Sequence, residues 1–169
     1  MIKVFYDYQA FSLQRYGGAS KYFTNIVENF SNKIDPKIVS LFYKNEYLKR
    51  SRSKKTLFYY GEKLNFLTNS FNKLNKKYFE YYIRTYKPNI IHHTYFLEKN
   101  IYQSQAKNII TELDLIKEKF YPDIYENEIN YKKKLYSEIE QIICISESTK
   151  KDLISYYNVK EEKIRVIHL

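Results

Sequence analysis

The sequence predicts an α/β fold: a parallel β-sheet covered by helices on both faces. Three observations carry this. Short, mostly apolar runs of four to six residues recur along the chain, as buried parallel strands do. Longer stretches between them repeat apolar residues every three or four positions, as amphipathic helices do. Glycine and proline occur only three times each in 169 residues, so each marks a place where the backbone needs it.

Ile2-Lys3-Val4-Phe5-Tyr6 is the first strand candidate. Gly17-Gly18 then opens a helix with Tyr22, Phe23, Ile26, Val27 and Phe30 on one face. Asp35-Pro36 reads as a loop before a second strand, Lys37–Phe42. Thr56–Tyr60 is a short strand candidate. A long helix follows with Leu64, Leu67, Phe71, Leu74, Tyr78 and Tyr82 as its apolar stripe, and Pro88 stops it. Asn89–His92 and Asn108–Thr111 are buried strands in character. A helix through Ile129, Leu135 and Ile139 leads to the strand Gln141–Ile145. Ser146-Glu147-Ser148-Thr149 supplies the cap of a helix through Leu153, Ile154 and Tyr157. Lys163–Ile167 is the last strand.

The chain is expected to form one domain over residues 1–169. A single cysteine, Cys144, excludes a disulfide framework and a cysteine-based zinc cage. No run approaches the roughly 18 apolar residues of a membrane span, and the start lacks a charged-then-apolar leader. A cytoplasmic chain, free or peripheral on the inner membrane face, is the expectation. The net charge is +10. Ten basic residues fall between Lys44 and Lys77, against Glu46 and Glu62 alone. That stretch reads either as a solvated lysine-rich surface or as a face for polyanions, anionic lipid among them. Tyrosine and lysine can also stack on bases and pair with phosphates, but no nucleic-acid module signature is present.

In open α/β sheets, ligands bind beyond the carboxyl ends of the strands. Four groups lie there. Gly17-Gly18 either lets backbone N–H groups approach an anion at a helix start or makes a turn that needs positive φ. His92-His93-Thr94-Tyr95 either contacts a ligand or forms a polar loop; alternation along a strand argues against one metal held by both imidazoles. Glu112 and Asp114 form an acid/base pair, orient a ligand or cap a helix. Ser146 reads first as a helix cap. Glu118 and Glu126, with seven residues between them, read as coincidence in a charged chain.

Taken in order, these pieces resemble the N-terminal half of the family 4 glycosyltransferases of the GT-B type. Gln14-Arg15-Tyr16-Gly17-Gly18-Ala19-Ser20-Lys21-Tyr22-Phe23 is similar to the family's GG-I-S-R-Y loop and helix. Pro88–Tyr95 is similar to its P-D-V-I-H strand. Thr111–Ile116 is similar to its T-V-H-D-L turn. Cys144–Leu153, followed by Lys163–His168, is similar to V-S-E-S-T-K-x-D-L and K-I-x-V-I. The resemblance covers essentially the whole chain.

It implies a Rossmann-like N-terminal domain, the acceptor-binding half of a two-domain GT-B fold. The enzyme would transfer sugar with retention from a nucleotide-sugar donor to a glycan or lipid-linked acceptor, with no metal and no further cofactor. Gly17 and Gly18 would meet the donor diphosphate. His93 and Asp114 would be catalytic, and His92, Thr94, Tyr95, Glu112 and Ser146 would line the acceptor. The partner is a C-terminal donor-binding domain, or a second chain carrying it. Two departures stand out. Leu113 occupies the place of the family's histidine, which lies near the reacting sugar. The chain also stops at His168-Leu169, where the family continues into its second domain with a Glu-seven-Glu donor motif; Glu118 and Glu126 lie in the wrong half to be that motif. The chain alone is therefore expected to be inactive. The competing expectation is a non-catalytic module, a membrane- or polyanion-binding domain or scaffold derived from a transferase.

Overall fold

The structure, a computed structural model, describes residues 1–52, 54–96 and 101–168; of residues 54, 55 and 57 it describes the backbone alone. The side chains of Lys54 and Lys55, part of the basic stretch, and of Leu57 lie outside the described residues. The chain packs as two compact units. One comprises Met1–Tyr95 with Tyr102–Ala106, the other Phe96–Ile101 with Lys107–Leu169.

The first unit holds β1 (Ile2–Tyr6), α1 (Gln9–Leu13), α2 (Gly18–Glu28), β2 (Ile34–Tyr43), α3 (Glu46–Arg50), β3 (Lys54–Tyr59), α4 (Thr68–Tyr86) and β4 (Ile90–His93). Its strands lie in the order β3-β2-β1-β4, all parallel. Successive residues of β1 serve opposite faces. Val4 and Tyr6 pack with Phe11, Phe23, Val27 and Leu48 under the first three helices. Phe5 packs with Val39, Phe79, Ile83 and Ile91 under α4. Both faces are thus covered, which is why the strands read as mostly apolar runs rather than alternating ones.

Pro36, expected in a loop, lies inside β2. It stands opposite Val4, while pairing with β3 begins only at Ile38. At Pro36 the strand has a neighbour on one side only, so the missing N–H leaves no gap in a ladder.

The stripe of α4 is rotated from the expected one. Asn75, Phe79 and Ile83 are its buried residues, and Leu74 is 44% exposed. The reason is Asn75. β1 pairs with β2 only as far as Ile38, and Phe42 lies beyond that point. Asn75 Oδ1 accepts from Phe42 N at 2.8 Å, and its Nδ2 donates to Phe42 O at 2.9 Å. A polar side chain completes the strand where no neighbour does. The helix ends as expected: Lys87 takes a left-handed conformation (φ 46°) immediately before Pro88.

The second unit holds β5 (Lys107–Glu112), α5 (Ile116–Phe120), α6 (Glu126–Glu138), β6 (Gln141–Cys144), α7 (Glu147–Tyr157) and β7 (Ile164–Val166). Its strands run β5-β6-β7, again parallel. Ile110, Ile142, Cys144, Leu135, Leu153 and Ile164 form its core. The five-residue helices α1, α3 and α5 are additions to the expected elements.

Replacing Asn75 by Leu would perfect the apolar stripe by eye. It leaves the Phe42 N–H without its partner and the C=O with Ser40 Oγ alone, so Asn75→Leu should cost about 1–3 kcal/mol in urea unfolding. A variant as stable as the parent would contradict this account of α4.

Candidate functional site

Site residues of the first unit gather where β1 and β4 end. Asp7 follows β1 and is fully buried. Its Oδ1 accepts from Gln9 N at 3.3 Å, Thr94 N at 3.0 Å and Thr94 Oγ1 at 2.6 Å. Its Oδ2 accepts from Gln9 Nε2 at 2.5 Å and lies 3.5 Å from His93 Nδ1. Burial raises the Asp7 pKa; His93 and the hydrogen bonds from Thr94 and Gln9 oppose that rise without cancelling it. Thr94 Oγ1 in turn accepts from Ala10 N at 3.0 Å, which ties the start of α1 to the end of β4.

The two histidines have different surroundings. His92 stacks on Tyr6 (ring centroids 4.9 Å apart) and meets the edge of Phe23 (5.3 Å). Burial, with His93 nearby, pushes its pKa down to about 3, so it is a neutral aromatic of the interior. His93 stacks on Tyr102 at 5.5 Å. His92, His93 and Thr94 are each no more than 3% exposed. Only Tyr95 of this group is half-buried.

The glycine loop is more open. Gly17 is extended (φ −166°, ψ 149°), so the expectation of a turn needing positive φ is corrected; among the glycines that conformation belongs to Gly61 (φ 59°). Gly17 is the N-cap of α2 and brings no side chain to its first-turn N–H groups. Gly18 is exposed, and a Cβ there would meet nothing within 4 Å. A Cβ on Gly17 would press Gln14 Oε1 at 2.5 Å, a flexible side-chain end. The backbone preceding the loop is held by Asn45, whose Nδ2 donates to Gln14 O at 3.0 Å and Arg15 O at 3.2 Å.

Glu112, Asp114 and Ser146 lie in the second unit. Glu112 is turned inward. Tyr136 Oη donates to its Oε2, and Lys132 Nζ lies 3.6 Å from that oxygen. Lys132 also donates to Glu118 Oε1 at 2.8 Å, and Tyr157 Oη donates to the same oxygen at 2.5 Å. Glu118 Oε2 is buried with no partner among the described residues. Two carboxylates here share one ammonium. Burial raises the Glu112 pKa to about 7, with Lys132 only partly offsetting it. Burial acts the same way on Glu118, but its bonds from Lys132 and Tyr157 win, and its pKa falls.

Asp114 is exposed, and its Oδ1 accepts from Ile116 N at 3.2 Å at the start of α5. Ser146 caps α7: its Oγ accepts from Thr149 N at 3.0 Å. Thr149 Oγ1 donates to Leu113 O at 3.4 Å, linking that cap to the turn after β5. Among the described residues no group of three or more His, Cys, Asp or Glu is placed to hold a metal ion. Sequence reasoning missed Asp7, Asn45 and Lys132. Only Asn45 carried a signal, an N-cap residue ahead of Glu46, with Lys49 and Arg50 closing the helix.

Parallel strands flanked by helices, with an open glycine loop leading from α1 into α2, define a Rossmann-like α/β fold. The model of Glycosyltransferase Family 4 matches residues 16–169, and the chain belongs to that family. Among solved structures it is similar to Alr3699/HepE from Anabaena, crystallised in complex with UDP, at 13% identity and a TM-score of 0.54. That likeness covers 99% of this chain and 44% of the other, so the chain spans less than half the length of this relative. No curated protein matches the sequence.

Two buried groups give opposed pH dependences. Glu112, raised in the fold from about 4.5 to about 7, contributes stability that is full below its unfolded pKa and lost as pH rises through 7. His92, lowered to about 3, contributes stability present above its unfolded pKa and lost as pH falls towards 3. Glu112→Gln should therefore lose the fall in stability between pH 4.5 and 7, a difference on the order of 3 kcal/mol in paired denaturant titrations. Parallel stability profiles for variant and parent across that window would contradict the assignment.

Proposed function

We propose that this chain is the acceptor-side half of a retaining glycosyltransferase. It would pass a sugar from a nucleotide-sugar donor to a glycan or lipid-linked acceptor, and do so only with a donor-binding second half. The observation that carries the reading is the family match over residues 16–169, joined to a glycine loop that opens α2 with its N–H groups uncapped by any side chain. A helix start of that kind suits a diphosphate. The 44% coverage of the UDP-bound relative supports a missing half, since retaining transfer needs the leaving diphosphate held and its charge stabilised.

Roles divide by exposure. Gly17 and Gly18 would approach the donor diphosphate. In the first unit Tyr95 would reach the acceptor; in the second, Asp114 is the exposed carboxylate able to orient or deprotonate a hydroxyl. His92, His93, Thr94 and Glu112, buried and engaged, would hold these elements in place rather than touch sugar. Ser146 would do so through its cap. No further cofactor enters the reading.

A second reading, a non-catalytic membrane- or polyanion-binding module, has its own support. Leu113 cannot transfer a proton where the family carries histidine. The outer face of α4 exposes Lys73, Lys77 and Arg84 together with Leu74 and Tyr81, a pattern suited to an anionic lipid surface. No helix among the described residues is long and apolar enough to cross a membrane. Peripheral contact with the inner membrane face is compatible with either reading, because lipid-linked acceptors lie there.

Gly18→Ala tests the donor site. A methyl at the first helical position meets open space, so stability should change by less than about 0.5 kcal/mol. The same methyl obstructs an approaching phosphate, so UDP or pyrophosphate binding by calorimetry should weaken about tenfold or more. Unchanged affinity would remove the diphosphate from this loop. Radiolabelled-sugar transfer should appear only when the second half is supplied; transfer by this chain alone would overturn the half-enzyme reading.

A further inference from the structure

Asn45 is fully buried, and the two ends of its amide serve different elements. Oδ1 accepts from Tyr47 N at 3.0 Å and Leu48 N at 3.1 Å, capping α3. Nδ2 faces Gln14 O and Arg15 O and also donates to Ser20 Oγ, at 2.7 Å, in the first turn of α2. The next residue repeats the grip. Glu46 N donates to Arg15 O at 2.9 Å, and Glu46 Oε1 accepts from Arg15 Nε at 3.3 Å. Tyr59 Oη donates to that same carboxylate oxygen. Arg15 is thus held at its carbonyl and at Nε, yet its side chain stays 45% exposed, with the guanidinium carbon 5.4 Å from the Tyr16 ring centroid.

Capping alone does not call for an amide. Asp, Ser or Thr would cap α3 as well. An amide is needed because the same side chain must also donate on its other side. We propose that Asn45 is the positioning residue of the Arg15–Gly18 loop, and that it acts to present the Arg15 guanidinium to a phosphate of a nucleoside diphosphate. A guanidinium fixed at Nε offers its outer N–H groups in one orientation, which favours two-point contact with phosphate oxygens. The choice of ligand rests on the donor reading above; the positioning of the loop does not.

Asn45→Asp separates the two roles, since it keeps the acceptor that caps α3 and removes the donor that holds the loop. Exchange of the Glu46 amide, which donates to Arg15 O, and of the Lys21 amide, which donates to Gly17 O, should quicken about tenfold, with exchange in β1 and α4 unchanged, as loss of one buried hydrogen bond implies. Calorimetric affinity for pyrophosphate and for UDP should fall by a similar factor. Arg15→Lys should lose the affinity without changing the exchange. Should Asn45→Asp fail to fold, Ser20→Ala removes one of the three acceptors of Nδ2, together with the bond from Ser20 Oγ to Gly17 O, and should quicken the same amides. Unchanged exchange in both Asn45→Asp and Ser20→Ala would overturn the positioning role. Full affinity in Arg15→Lys would overturn the role of the guanidinium. A parent chain that binds neither ligand would overturn both the donor reading and the guanidinium's role, while the exchange measurement still decides that of Asn45.

Discussion

A carboxylate without access to water must be met by donors, and Asp7 imposes that requirement where β1 ends. Nothing about burial favours the charge itself; burial alone raises its pKa. The surrounding chain answers with Thr94 from the end of β4, Gln9 from the start of α1 and the His93 imidazole. Each answer fixes an element. Thr94 cannot serve Asp7 unless β4 ends at one register, and Gln9 cannot unless the chain turns into α1 directly after β1. The loop that follows, up to Gly18, then leaves from a settled starting point.

Its far end is settled by Asn45, so the glycine loop is anchored on both sides by buried polar groups. That is the physical basis for calling it preformed. A loop fixed before a ligand arrives spends little ordering entropy on binding. The second unit uses buried polarity differently. Glu112 and Glu118 share the single ammonium of Lys132, and Tyr136 and Tyr157 add donors to them. A buried group of that kind is costly to leave half-paired, so it ties α5, α6 and α7 to the end of β5 with little freedom to rearrange.

Much of the fold was legible in the sequence because its signals were local. Seven strands stood out as apolar runs, since strands buried on both faces need no alternation. The α7 cap was legible because hydroxyl residues and Glu147 come directly before the apolar positions of the helix. What escaped depended on distant partners. Asp7 resembles any polar residue after a strand until Thr94, 87 positions later, donates to it. Asn75 interrupts an apolar stripe and so shifted the expected face of α4 by one residue; its reason lies on β2. Pro36 misled because edge and interior positions of a strand share one sequence. Among the site residues, His92 and Glu112 were legible as chemistry-bearing but not as buried. A histidine between two aromatic rings and a glutamate under a tyrosine have the same letters as exposed ones.

The proposed donor site requires the loop from Arg15 to Ala19 to be preformed for phosphate. Its most direct test is a nitrogen–proton correlation spectrum of this chain titrated with UDP. Saturable shifts confined to the amides of Gly17, Gly18 and Ala19 and to the Arg15 Nε–H, with the rest of the spectrum unmoved, are the predicted result. Shifts centred elsewhere, or a spectrum that rearranges across the first unit as ligand binds, would contradict it.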